Sequence, residues 1–97
     1  MALKVNFTKK ADYDFDNILK YIQNEFGSST AIRFKGLVID LATLLESFPE
    51  IGSLELYNKN IRVFVIHRRL KVYYRIKSDH VIILRLFDTR QNQDIKL

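Results

Sequence analysis

The sequence of 97 residues contains no cysteine. This absence excludes a disulfide framework, a thiol nucleophile and a thiolate metal site, and it is typical of a protein in a reducing cytosol. With three glycines and one proline, the chain also lacks a glycine-rich phosphate loop and a linker rich in these residues. We therefore expect a single domain over residues 1–97, large enough to bury a core without a metal or disulfides.

Long apolar runs are also missing. The first ten residues, MALKVNFTKK, hold no apolar segment of signal-peptide length, and no stretch reaches the roughly 18 apolar residues of a membrane span. We expect a cytoplasmic protein that does not engage a membrane.

Spacings typical of metal sites are absent as well. The acids Asp12, Asp14 and Asp16 lack the glycine of a calcium loop and fit the solvated start of a helix. His67 and His80 fall at predicted hairpin turns, where a solvated histidine is commoner than a catalytic one. We expect no cofactor and no metal, so any catalysis would depend on arginine, lysine and tyrosine stabilising charge on a phosphate.

The charges of the chain are divided between its two halves. Residues 1–58 carry six Lys and Arg against eight Asp and Glu, a net of −2, whereas residues 59–97 carry ten against three, a net of +7. This separation predicts that the basic half meets an acidic partner. The alternative is a basic sheet surface that only aids solubility.

The first half predicts one strand and two helices. Alternating apolar residues indicate a strand over residues 3–7, and apolar residues at helical spacing predict one helix over about 9–26 and a second, capped by Ser28 or Ser29, that runs to about residue 47. Ile32 and Ile39 widen the apolar surface of the second helix, as expected if it is wedged between its partner and a sheet. Phe26 and Phe48 fall on the core side of their helices. Residues 51–60 are predicted to form a loop with one short extended piece.

The second half alternates with period two and predicts a hairpin followed by a third strand. A two-residue turn at Arg68 and Arg69 would pair His67 with Leu70. The core face of the hairpin then holds Ile61, Val63, Val65, Leu70, Val72, Tyr74 and Ile76. In the last strand, the cost of burying Arg85 predicts Ile82, Leu84 and Leu86 on the core face.

The opposite face of the sheet is then predicted to be open, basic and aromatic. Its side chains are Arg62, Phe64, Ile66, Lys71, Tyr73, Arg75, Lys77, Val81, Ile83, Arg85 and Phe87. Guanidinium groups match phosphates and aromatic rings stack on bases, so this mixture suits nucleic acid or an acidic amphipathic segment. Alternatively, the rings shield neighbouring strands and the cations are only solvated.

The predicted order is β-α-α-β-β-β, an α+β fold with a helical hairpin packed on one face of a mainly antiparallel sheet. Three segments in this order carry a recognisable pattern: FTKKADYDFDNILKYI, FPEIG and IRVFVIHRRLKVYYRIKSDHVIILRLFDTRQNQ. Together with the order of elements, this pattern resembles the RelE/ParE superfamily of bacterial type II toxin-antitoxin toxins. The resemblance covers essentially the whole chain. It implies a small basic toxin, of the kind found in plasmid stabilisation systems, that is neutralised by an acidic antitoxin whose C-terminal segment wraps around it.

The superfamily implies two kinds of target. ParE-like members poison DNA gyrase, whereas RelE-like members cleave mRNA in the ribosomal A site without a metal. By resemblance, Arg62 and Arg90 match the arginines of the second strand and of the segment after the last strand, and they are the candidate catalytic residues. The candidate residues for binding the target or nucleic acid are Lys71, Tyr73, Arg75, Arg85 and Phe87.

The end of the chain departs from both patterns. The tail QNQDIKL holds no counterpart of the RelE-type tyrosine, for which Lys96 is a poor substitute as a general base. Asp88 stands where ParE-like sequences tend to have a histidine. We therefore expect a ParE-like gyrase inhibitor, with a metal-independent mRNA endonuclease and an inactive antitoxin-binding relative as the alternatives. A homodimer and a toxin-antitoxin hetero-oligomer are both compatible with the sequence.

Overall fold

The computed structural model describes residues 3–55 and 60–90. Its elements in chain order are β1 (Lys4–Phe7), α1 (Lys9–Phe26), α2 (Ser28–Ser47), β2 (Ser53–Leu54), β3 (Arg62–Ile66), β4 (Leu70–Ile76) and β5 (His80–Asp88). The order confirms the predicted α+β class, and β2 is the short extended piece expected after the helices.

Both ends of α1 have a local cause. The Thr8 hydroxyl accepts a hydrogen bond from the Ala11 backbone N–H at 3.0 Å and so caps the first turn. The same hydroxyl donates to the carbonyl of Leu84 in β5 at 2.9 Å. Gly27 ends the helix with a φ angle of 91°, a backbone conformation that residues other than glycine rarely adopt. The cap residue therefore fixes where the helix begins and how it sits on the sheet.

The five strands form one sheet in the order β1-β5-β4-β3-β2. β1 runs parallel to β5, and the other neighbouring pairs are antiparallel. Buried side chains from α1 and α2 form one apolar cluster with those of β4 and β5. The buried members of this main core are Ala11, Ile18, Ile22, Ala31, Phe34, Val38, Leu41, Leu45, Leu70, Val72, Tyr74, Val81, Ile83 and Leu86.

The predicted faces are correct for β4 and wrong for β3. The β3–β4 turn contains three residues, His67 to Arg69, so Ile66 rather than His67 lies opposite Leu70. A shift of one residue exchanges the two faces of a strand. Phe64 and Ile66 therefore pack against the main core, whereas Val63 lies in a second cluster on the opposite face.

The predicted faces of β5 are wrong in its first half because of a β-bulge. Tyr73 pairs with Arg85 but Tyr74 pairs with Ile83, which leaves Leu84 as an extra residue. The extra residue places Ile83 and Leu86 in the same core without burying Arg85. Val81 and Ile83 are accordingly in the main core, where Ile82 and Leu84 were predicted. In the second half of the strand, Leu86 and Phe87 lie on their predicted faces.

The helices bury less apolar surface than their sequence predicts. Ile32 and Ile39 of α2 are 70% and 60% exposed, so this helix is not wedged between two layers. Phe26 and Phe48, predicted on the core side, are also exposed. Phe26 is the last residue of α1 and Phe48 is the C-cap of α2, so both lie at helix ends.

Candidate functional site

The outer face of the sheet is closed at its centre by an apolar cluster. Ile61, Tyr73 and Phe87 are buried there and pack with Val63 and Leu84. The rings of Tyr73 and Phe87 meet edge to face, with centroids 5.7 Å apart. Burial, and secondarily the charge of Glu55, raises the pKa of the Tyr73 hydroxyl above its ordinary value. The prediction that Tyr73 and Phe87 form an open stacking platform is therefore wrong, because the two rings bury each other.

Arg85 is engaged by a carboxylate of α1. Its Nε and Nη2 atoms donate to Oδ2 and Oδ1 of Asp14 at 2.7 and 3.0 Å, and the Leu86 backbone N–H donates to the same carboxylate. The guanidinium also lies 4.8 Å from the centre of the Phe87 ring. Hydrogen bonding to Asp14 raises the pKa of Arg85. Contrary to the prediction of an open contact residue, Arg85 joins α1 to the sheet.

Arg90 forms a similar fork with Asp88. The side chain of Asp88 is completely buried, and the Nε atom of Arg90 donates to its Oδ1 atom at 2.9 Å. The Arg90 backbone N–H donates to the same oxygen, and the guanidinium lies 5.1 Å from the centre of the Phe26 ring. The hydrogen bond to Asp88 raises the pKa of Arg90. The aspartate in place of the expected histidine thus serves as the partner of the arginine two residues later.

Arg62 contacts the loop that follows α2. Its Nη1 atom donates to the carbonyl oxygens of Gly52 and Glu50 at 2.8 and 3.2 Å. Opposite Arg62 in the sheet, the Tyr74 hydroxyl donates to the Pro49 carbonyl at 2.7 Å and accepts from the Gly52 N–H at 2.8 Å. Arg62 and Tyr74 together fix this loop, so Arg62 has a structural role that the sequence did not indicate.

Lys71 and Arg75 are the two remaining cations among the candidate target-binding residues. Both are half-buried on β4, opposite Phe87 and Ile82 respectively. Within residues 3–55 and 60–90, the Nε atom of Arg75 is the one buried side-chain nitrogen or oxygen without a hydrogen-bond partner. This atom is closed to solvent, but the Arg75 side chain as a whole is only half-buried, and no carboxylate of the described residues forms an ion pair with it, so its guanidinium can meet an anion.

A pocket of about 400 Å³ opens at the end of the sheet where the β3–β4 turn lies under α2. Its lining is Thr30, Arg33, Phe34, Leu37, Ile66, His67, Arg69, Leu70 and Arg90. None of these lining residues is acidic. Sequence reasoning did not join Arg33 to Arg69, because 36 positions separate them and only the packing of α2 over the turn brings them together.

The two histidines lie at turns, as predicted. His80 contacts the carboxylate of Asp79 at 2.7 Å, and this hydrogen bond lowers the pKa of Asp79. His67 is exposed in the turn that lines the pocket. Lys96, considered above as a general base, lies outside the described residues. Within the described ranges, neither helix combines the length and the apolar content needed to cross a bilayer.

The structure combines a two-helix hairpin with a mixed sheet whose first and last strands are parallel neighbours. Basic side chains lie on β3, β4 and β5. This arrangement is that of toxins of the RelE/ParE type. The profile of the family described as ParE toxin of type II toxin-antitoxin system, parDE, matches residues 5–93. The chain belongs to this family.

Solved structures of toxins agree with this assignment at the level of the fold. A chain of the chromosomal ParDE system from P. aeruginosa is 19% identical with a TM-score of 0.75, and the match covers 90% of this chain and 96% of that one. A chain of the toxin-antitoxin complex RelBE2 from Mycobacterium tuberculosis is 19% identical with a TM-score of 0.70, covering 91% and 99%. A chain of the YoeB dimer from Staphylococcus aureus is 20% identical with a TM-score of 0.55, and the match covers 90% of this chain and 97% of that one. Among curated proteins, none matches the sequence.

Proposed function

We propose that this toxin is ParE-like, that it acts by binding DNA gyrase, and that an acidic antitoxin neutralises it. The observation that favours gyrase over mRNA as the target is that two of the candidate arginines are already paired with carboxylates. Arg85 and Arg90, which an endonuclease would direct at phosphate, are held in two-pronged contacts with Asp14 and Asp88. A guanidinium whose charge is matched by a carboxylate does little to stabilise the negative charge that develops on phosphate during cleavage.

The family match supports the same choice, because the profile that matches is that of ParE toxins. The match with a chain of a ParDE system is consistent with it at the level of the fold. In this proposal the target-binding residues are Lys71 and Arg75 on the outer face of β4. Arg62, Arg85 and Arg90 act as positioning residues that hold the elements around them.

Parallel assays of supercoiling and of transcript cleavage test the proposal. Purified protein is expected to inhibit supercoiling by gyrase and to leave mRNA intact, both with and without ribosomes. The double variant Lys71→Ala/Arg75→Ala should lose at least tenfold in inhibition, since two cations of the contact are removed. Lys20→Ala, an exposed cation on α1, serves as the control and should inhibit as the unmodified protein does. Cut transcripts with normal supercoiling would contradict the proposal.

The second candidate function is a metal-independent mRNA endonuclease, favoured by the half-buried cations Lys71 and Arg75, with which no carboxylate of the described residues forms an ion pair. In that case Lys71 and Arg75 would hold the phosphate. The substitutions Arg62→Ala and Arg90→Ala should each lower the rate of cleavage at least tenfold, which corresponds to a loss of about 1.4 kcal/mol of transition-state stabilisation. Circular dichroism of both variants is needed, because each arginine also holds structure. Full cleavage in folded variants would remove them from the catalytic candidates.

A further inference from the structure

We propose that the pocket between α2 and the β3–β4 turn binds a carboxylate-bearing, amphipathic segment of the antitoxin. The inference rests on the proposed neutralisation by an acidic partner and names the surface that the partner would occupy. The pocket lies at the Leu70 end of β4 and is lined by α2, by the turn and by Arg90.

The pocket has an excess of positive charge that no acid of the described residues neutralises. Arg33 and Arg69 are exposed, and no carboxylate within residues 3–55 and 60–90 forms an ion pair with either of them. The side chain of Arg33 donates to the hydroxyl of Thr30 at 3.3 Å, a neutral contact on the same helix. Arg90, by contrast, is matched by Asp88. Two guanidinium groups are thus free to meet carboxylates of a partner.

The turn that presents Arg69 is held in one unusual conformation. His67 and Arg68 have φ angles of 50° and 62°, in the left-handed region that residues other than glycine and asparagine rarely occupy. Two hydrogen bonds from Thr89 fix it, from its N–H to the Arg69 carbonyl at 2.6 Å and from its hydroxyl to the Arg68 carbonyl at 3.0 Å. A fixed turn loses less conformational entropy when a partner binds. Backbone strain of this kind often accompanies a functional site.

The floor of the pocket favours a peptide over a nucleic acid. Leu37 and Ile66 are half-buried there, between the cations, and can receive an aliphatic side chain. The Phe34 ring in the lining is 5% exposed and offers no face on which a base could stack, which leaves the imidazole of the exposed His67 as the one ring of the lining open to a base. An apolar floor with a cationic rim matches a segment in which an apolar side chain lies between acidic ones.

Charge reversal at the rim tests the inference. The probe is the acidic protein encoded by the open reading frame next to that of the toxin, and its dissociation constant from the full-length toxin is measured by calorimetry. We expect Arg33→Glu/Arg69→Glu to weaken binding at least tenfold. The matched control is Lys4→Glu/Lys20→Glu, which makes the same change of charge at exposed positions outside the pocket and outside the predicted basic face. Binding by the control should fall by less than threefold.

The possible results separate the inference from the proposed function. If the acidic protein binds the unmodified toxin and both double variants equally well, the pocket is not its binding site, although neutralisation stands. If it does not bind the unmodified toxin, both the neutralisation and the inference fail. If a single-stranded RNA loses binding to the Arg33→Glu/Arg69→Glu variant while the acidic protein does not, the pocket is a nucleic-acid site and the inference is overturned.

Discussion

The completely buried carboxylate of Asp88 determines how Arg90 can behave. A buried charge is tolerated where a fully hydrogen-bonded partner matches it, and Asp88 accepts bonds from both the backbone and the side chain of Arg90. The guanidinium remains 20% exposed, so water moderates the cost of separating the pair. Arg90 is therefore held close to the last strand.

Asp88→Asn should destabilise the protein by about 2–3 kcal/mol. The amide keeps an acceptor for Arg90 but removes the charge that balances it, which leaves a mostly buried guanidinium without its counter-charge. Urea unfolding measures the change as a lower midpoint at constant slope. Asp79→Asn, which removes the charge of an exposed acid, is the control and should not shift the midpoint. Equal midpoints for all three proteins would contradict this role of Asp88.

Tyr74 links the stability of the protein to alkaline pH. Its hydroxyl bonds Pro49 and Gly52, and burial raises its pKa above the ordinary value of 10.0. Because the folded state holds the neutral phenol, this stabilisation is fully present below about pH 10 and is lost as the pH rises through the folded-state pKa.

Tyr74→Phe should therefore cost about 1–3 kcal/mol at neutral pH, since it leaves a buried N–H and a carbonyl without their partner. It should also reduce the decline of stability above about pH 10. Unfolding curves at pH 7, 9 and 10.5 measure both effects. Tyr13→Phe removes an exposed hydroxyl and should change neither. An unchanged alkaline decline in the Tyr74 variant would show that other groups cause it.

At the scale of elements, two glycines are predicted to respond oppositely to alanine. A Cβ atom at Gly52 would lie 2.7 Å from the Tyr74 hydroxyl and 2.9 Å from the Val63 carbonyl, so Gly52→Ala should destabilise by about 1–3 kcal/mol. Gly36 lies within α2 with open space around it, and Gly36→Ala should stabilise by about 0.5–1 kcal/mol. Thermal unfolding compares them directly. The same sign in both variants would refute this account of the loop after α2.

The elements also show where the sequence suffices to predict structure. Both helices were predicted closely, because Thr8 and Gly27 bound α1 and apolar residues recur at helical spacing. The faces of β3 were not, since their register depends on a turn in which His67 and Arg68 take positive φ without a glycine or asparagine. The bulge at Leu84 likewise has no local signal, as it arises from the requirement that Ile83 and Leu86 share a core.

The candidate site was less predictable than the fold for a related reason. Alternation along a strand assigns a side chain to a face, but it does not reveal what else lies on that face. The burial of Tyr73 and Phe87 depends on Ile61, which precedes β3, and the partner of Arg85 lies 71 positions earlier on a helix. These contacts connect distant parts of the chain, so only tertiary structure shows which cations are matched.

At the scale of the molecule, charges that are separated along the chain are combined in space. The acidic first half supplies Asp14 to Arg85 of the basic second half. Excess positive charge is therefore not spread evenly but remains where no acid within residues 3–55 and 60–90 pairs with it, as at Arg33 and Arg69. Since opposite charges raise the rate of encounter, binding of an acidic partner should weaken as salt is added.

The parallel pairing of β1 with β5 has a consequence for the synthesis of the toxin. β5 is the interior strand that bonds both β1 and β4, and it is the last of the described strands to leave the ribosome. Until then β1 lacks its neighbour, and the Thr8 hydroxyl lacks the Leu84 carbonyl to which it donates. A nascent chain that lacks β5 therefore cannot assemble the complete sheet. The folded toxin forms only after nearly all of the described chain has been translated.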